Sequence, residues 1–119
     1  MPHITVDHSA SLTASFDRPG FARALHPLLT EVAGAAVGDC KTRFRSVDET
    51  FVGDGDPGHA VIHVEVALKR GRTEEVKAEV AQAVLTLLRK HVGTGPDVTA
   101  HASVEVRDLE DAYRKHVGA

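Results

Sequence analysis

The chain has 119 residues, 42% of them hydrophobic, and its 14 Lys and Arg against 17 Asp and Glu leave a formal charge of −3. That length is expected to make one domain, residues 1–119, with no separate regulatory module. The mildly acidic balance, without any block of like charge, excludes a protein built to coat nucleic acid or an anionic membrane.

Aromatic residues make up 4% of the chain, with no Trp and one Tyr, so the core must be small and aliphatic. A core of that kind is marginal alone, and oligomerisation is the expected remedy. One cysteine, Cys40, cannot form an internal disulfide, which suits a reducing compartment. The opening MPHITVDHSASL has neither the basic end nor the apolar run of a signal peptide. No stretch approaches the roughly 20 apolar residues of a membrane-spanning helix. A cytoplasmic protein is expected.

In chain order, Ile4 and Val6 alternate with His3, Thr5 and Asp7, the period of two of a strand. Ser9 to Asp17 is small and polar and reads as a loop. Asp17 and Pro19 signal a helix start, and Phe21, Leu25, Leu28, Leu29 and Val32 follow on one face. Pro27 interrupts that pattern and should remove one backbone bond. Cys40 to Val47 alternates again as a second strand. Gly53 to Gly58 is a dense turn signal, read as a hairpin turn. A third strand spans Ala60 to Leu68, and Gly71-Arg72-Thr73 ends it. Val76, Val80, Ala83, Val84, Leu87 and Leu88 then form the stripe of a long helix, closed by Gly93, Gly95 and Pro96. Val98 to Val106 reads as a last strand, and a short helical turn is expected from Leu109.

Strand, helix, strand thus occurs twice, over about 2–50 and 60–107. Two β-α-β units side by side predict an α/β (α+β) fold: a four-stranded mixed sheet with both helices on one face. The opposite face alternates His63 and Glu65 with Val64 and Val66, and Ser103 and Glu105 with Val104 and Val106. That mixture suits either burial against neighbouring subunits or plain exposure.

Four residues are candidates for chemistry. Pro2 starts a core strand directly, so its nitrogen would be held rigidly at a sheet end. An α-amino group titrates at about 7.7–8.0, and desolvation or a nearby cation would lower that and leave a neutral base near pH 7. The plainer reading is a small second residue that permits removal of Met1. Arg72 precedes the helix cap Thr73, on the unfavourable side of the helix dipole. That placement makes sense if Arg72 and the helix start hold an anion together; pairing with Glu74 or Glu75 is the alternative. Lys41 and Arg43, with Arg45, alternate on one strand face and could bind a carboxylate or simply guard a solvated edge. His59 and His63 share a strand face, but no HExxH or paired Cys/His spacing accompanies them, so no metal is expected. Cys40 has no partner base and reads as a small buried residue. No glycine-rich phosphate loop follows a strand, and no cofactor is expected.

The segments PHITVDHSASL, GDGDPGHAVIHVEV, GRTEEV and SVEVRDLE together resemble the 5-carboxymethyl-2-hydroxymuconate isomerase family of the tautomerase superfamily, from Pro2 to about Leu109. The resemblance implies a homotrimer with Pro2 as general base and Arg72 holding a substrate carboxylate. It places a second cation at Lys41, where the family carries Arg; Lys lacks the bidentate fork, and Arg43 could share or replace the role. The implied reaction moves a proton within an unsaturated 2-hydroxy dicarboxylate, dienol to conjugated ketone, in the breakdown of aromatic acids such as homoprotocatechuate. It needs no cofactor. A tautomerase acting on phenylpyruvate or another oxo-acid, or a trimeric binding protein without turnover, keeps the same fold.

Overall fold

The computed structural model describes residues 1–118; Ala119, the last residue of the expected domain, lies outside them. In order the elements are β1 (His3–Ser9), α1 (Arg18–Ala33), β2 (Lys41–Val47), β3 (His59–Leu68), α2 (Glu74–His91) and β4 (Thr99–Asp108). They form one four-stranded mixed sheet in the order β2-β1-β3-β4. β1 runs parallel to β2, β3 runs parallel to β4, and the two pairs join through antiparallel β1 and β3. Each half is therefore a β-α-β unit, as the repeated pattern required.

The helices begin where their caps are. The Asp17 carboxylate accepts from Gly20 N at 3.1 Å and the Thr73 hydroxyl from Val76 N at 3.2 Å, each satisfying an otherwise orphaned donor of a first turn. α2 carries Glu74 and Glu75 in its first turn and Arg89, Lys90 and His91 in its last, both matched to the helix dipole. α1 runs unbroken through Pro27 and ends at Gly34, whose φ of 73° is the left-handed conformation that glycine adopts without steric cost.

Both helices pack on one sheet face. Phe21, Leu25 and Leu29 of α1 and Val80, Val84 and Leu88 of α2 are buried with Ile4, Val6, Ile62, Val64 and Val66 of the sheet. On the other face Asp7 pairs with Arg45 and Glu65 with Arg107. The face is only partly open: His3, Thr5, Asp7, Val61, His63 and Glu65 are half-buried, while Lys41, Arg43, Arg45, His101 and Glu105 are exposed.

Three expectations change. Residues 10–15 form a 3₁₀ helix rather than an open loop, because Leu12 turns into the core at 2% exposure. The Gly53–Gly58 turn is not a hairpin: β1 lies between β2 and β3, so this segment carries the chain across the end of β1. Past Leu109 there is a single turn, with Tyr113 N donating to Glu110 O, and no helix.

Candidate active site

Pro2 is buried immediately before β1, and its carbonyl accepts from Lys41 N at 3.1 Å. The sheet therefore grips the chain from its second residue. A cavity of about 240 Å³ opens beside it, walled by Met1, Pro2, Gly34, Ala35, Ala36, Asp39, Lys69 and Arg72. Every wall comes from a chain terminus or from a junction between elements: the end of α1, the approach to β2, and the loop from β3 to α2. This brings together Pro2 and Arg72, 70 positions apart in sequence.

Arg72 is not an ordinary surface arginine paired with a glutamate. Its Nε donates to the Ala33 carbonyl at 2.9 Å and one terminal nitrogen donates to the Lys69 carbonyl at 3.0 Å. The Ala33 carbonyl belongs to the last turn of α1, the negative end of that helix. The dipole argument made from sequence therefore looked at the wrong helix. Arg72 stands before the start of α2, but its guanidinium sits at the end of α1, where a cation is stabilised whether or not an anion is bound.

The electrostatics of the cavity run against the chain's net charge. Burial lowers the Met1 amine below its ordinary 8.0, and Lys115, Lys69 and Arg72 push it further down while Asp39 opposes them. With Met1 attached, the Pro2 nitrogen is a tertiary amide without a basic lone pair, so the titrating amine at this position is that of Met1. The same surroundings would act on a Pro2 amine.

Lys41 and Arg43 do not wall this cavity. They lie on the open sheet face, beside β1 through the His3–Lys41 and Thr5–Arg43 register. Lys41 Nζ donates to the Asp39 carbonyl at 3.4 Å, and an Arg43 terminal nitrogen donates to His3 Nδ1 at 3.3 Å. Because a guanidinium can only donate, His3 Nδ1 is the acceptor and Nε2 carries the proton, which goes to the Tyr113 hydroxyl at 2.8 Å. Burial, then Arg43 and Lys41, holds the His3 pKa below 6.5, consistent with that neutral ring. Burial likewise raises the Cys40 thiol, an inert setting.

His59 and His63 share the open face but engage different partners. His59 Nδ1 lies 2.9 Å from His101 Nε2, and His63 Nδ1 lies 2.6 Å from Ser103 Oγ. A larger cavity of about 410 Å³ sits between α2 and β4, lined by Ile62, Leu88, Val92, Ala102 and neighbours, with Arg89 its one titratable wall. Proton-transfer chemistry belongs to the smaller cavity.

Sequence reading missed three residues here. Asp39 and Lys69 wall the cavity, and Lys115 reaches its rim from the tail, 3.8 Å from Asp39. None sits in a periodic element, so spacing carried no signal for them.

The profile of the family described as 5-carboxymethyl-2-hydroxymuconate isomerase matches residues 2–116. A 5-carboxymethyl-2-hydroxymuconate Delta-isomerase of Escherichia coli is 24% identical over 91 residues, 76% of this chain and 72% of that one. A crystal structure of a 5-carboxymethyl-2-hydroxymuconate isomerase from Deinococcus radiodurans R1 superposes with a TM-score of 0.80 at 23% identity, covering 96% of this chain and 88% of its own. A fused 4-OT described as a symmetric trimer matches with a TM-score of 0.75 at 20% identity, covering 97% of this chain and 91% of that one. No helix among the described residues is long and apolar enough to cross a membrane.

Proposed function

Because the chain belongs to the 5-carboxymethyl-2-hydroxymuconate isomerase family, and is thereby an isomerase of the tautomerase superfamily, we propose that it shifts a proton within an unsaturated 2-hydroxy dicarboxylate, with the secondary amine of Pro2 as base once Met1 is removed. The observation that carries this reading is the cavity that gathers Pro2, Lys69 and Arg72 around an amine whose pKa is lowered. The family match also begins at Pro2.

The steps follow from that arrangement. The neutral amine takes the 2-hydroxyl proton of the dienol, and the O–H electron pair becomes part of the new carbonyl. The double bonds shift along the chain, and the distal carbon takes a proton back from the Pro2 ammonium. No atoms are gained or lost, and the base returns to its starting state. Arg72 holds a carboxylate, and the cations of the cavity stabilise the dienolate as charge builds. This chemistry needs no cofactor.

The same reading makes the protein a single-domain homotrimer in the cytoplasm, serving aromatic acid breakdown. The half-buried residues of the open sheet face support a neighbouring copy there. Lys41 and Arg43, on that face, meet ligand only in a neighbouring subunit's site.

The test begins with intact mass, to obtain protein free of Met1. Turnover of 2-hydroxymuconate and 5-carboxymethyl-2-hydroxymuconate is then followed by ultraviolet absorbance. Met1-free protein should convert them, while Pro2→Ala and a Met1-retaining form should fall by at least about 100-fold, as befits loss of the general base. Full activity with Met1 attached would defeat the base assignment. Turnover of phenylenolpyruvate alone would move the substrate to the oxo-acids, and no turnover at all would favour a binding protein.

A further inference from the structure

We propose that Lys69 is the subunit's own second cation, the side chain that takes the distal carboxylate of a two-carboxylate ligand. This rests on the dicarboxylate reading above and adds a residue to it.

Arg72 cannot hold both ends of such a ligand. Two of its nitrogens are committed to the Ala33 and Lys69 carbonyls, leaving the rest of the guanidinium for one carboxylate. The bond to the Lys69 carbonyl also fixes the backbone of Lys69, so the two cations are set side by side. Lys69 is the first residue beyond β3 and walls the Pro2 cavity.

Charge pairing singles it out. Arg70 pairs with Asp111, Lys77 with Glu74 and Asp108, Lys115 with Asp39, Arg45 with Asp7 and Arg107 with Glu65. Lys69 has no carboxylate within ion-pair distance among the described residues. Its charge bears on the amine of the cavity, whereas those of Lys41 and Arg43 bear on His3. Of the cations first considered, only Arg72 shares a cavity with Pro2, and Lys69 is the one beside it.

Lys69 also marks where the ligand ends. It walls a second cavity of about 320 Å³ with Arg70, Leu109, Glu110, Asp111 and Tyr113. Glu110 and Asp111 would repel a carboxylate that went deeper, so an anion entering from Pro2 stops at the ammonium. Lysine suits that place: it is a point charge on a flexible stem that follows a terminal carboxylate without demanding fork geometry.

Two six-carbon dienes test this apart from turnover: muconate, with two carboxylates, and sorbate, with one. Calorimetric titration of Met1-free protein should show muconate binding about 10-fold or more tighter than sorbate, the scale of one charge-assisted hydrogen bond. Lys69→Met should erase that preference by weakening muconate and leaving sorbate within about 2-fold, and Lys69→Arg should restore it. Because the readout is binding, it decides the inference even if the protein turns nothing over. Equal affinity of the wild type for both dienes overturns it. So does a Lys69→Met protein that keeps the preference; if Lys41→Ala removes it instead, the second cation comes from across a subunit boundary. Equal weakening of both ligands in Lys69→Met would show a role in shaping the cavity, and would also overturn the inference.

Discussion

Arg72 Nε donates to the Ala33 carbonyl across 2.9 Å, tying the loop before α2 to the last turn of α1. One side chain thus closes the cavity wall contributed by the first half of the molecule against the wall contributed by the second. The same guanidinium is the proposed carboxylate holder, so its structural and chemical duties are inseparable in an alanine variant. Arg72→Lys separates them in part, since the charge stays while the two-carbonyl grip is lost. Arg72→Ala is expected to cost about 1–3 kcal/mol in thermal unfolding, as charged hydrogen bonds to part-buried carbonyls do, and on the order of 100-fold in kcat/KM. Arg72→Lys should lose less in both. An Arg72→Ala protein with native melting and native turnover would refute the assignment.

The lowered amine sets a pH dependence with a definite sign. In the cavity, burial and three cations hold an amine below 8.0, and the neutral form is the base. Plots of kcat/KM for Met1-free protein should therefore rise with pH through an apparent pKa under 8.0 and fall as the solution is acidified. Lys115→Ala removes a cation that lowers the pKa and should move the limb to higher pH. Asp39→Asn removes the anion that raises it and should move the limb to lower pH. Shifts in the opposite directions would exclude an amine in this cavity as the titrating base.

Much of this architecture was legible before any coordinates. The period of two in Ile4–Val6 and in Ile62–Val64–Val66, and the helical stripe of Val80–Val84–Leu88, are direct records of which side chains face the core. Thr73 and Asp17 capped the helices as read, because a cap is a local device. What stayed hidden was pairing. Nothing in the Gly53–Gly58 turn reveals that β1 lies between its flanking strands, since a glycine-rich turn looks alike in a hairpin and in a crossing. Lys69 and Asp39 were missed for a related reason: they sit in short junctions where there is no periodicity to break. Arg72 was singled out from its place before α2, although its partners Ala33 and Lys69 lie elsewhere in the fold. Position in the chain located the residue, and only the tertiary structure identified what it holds.

His3 and Tyr113, 110 positions apart, are joined by the Nε2 to hydroxyl bond of 2.8 Å, which pins the tail at the start of β1. Arg43 occupies Nδ1, so the ring must be neutral and cannot take a second proton while that contact lasts. Its folded pKa lies below 6.5, so between that pKa and 6.5 the released state binds more protons than the docked one. Docking is then fully supported above 6.5 and weakens as pH falls through this window. Tyr113 is the one tyrosine in a chain without tryptophan, so its intrinsic fluorescence reports the tail alone. A titration should show a transition with its midpoint below 6.5, and His3→Gln should flatten it. A midpoint above 6.5 would reverse the sign and contradict the tautomer deduced here.

His8 presents a different kind of test, in a part of the core remote from the proposed chemistry. It is 1% exposed, with its Nδ1 at 3.2 Å from the Ser9 carbonyl and its ring edge-on to Phe16 at 5.6 Å. Since a carbonyl only accepts, Nδ1 carries the hydrogen and Nε2 must be the acceptor. That nitrogen is buried without a partner. An unmet buried acceptor costs about 1–3 kcal/mol, while the long bond to Ser9 repays about 1 kcal/mol or less. Leucine fills a similar volume and has nothing to satisfy. His8→Leu should therefore raise stability by about 1 kcal/mol, a few degrees in melting temperature for a domain of this size. Activity on the dienol should not change, because His8 does not wall the Pro2 cavity. A lower melting temperature would mean that Nε2 has a donor after all, and a loss of turnover with stability intact would mean that this end of β1 communicates with the site.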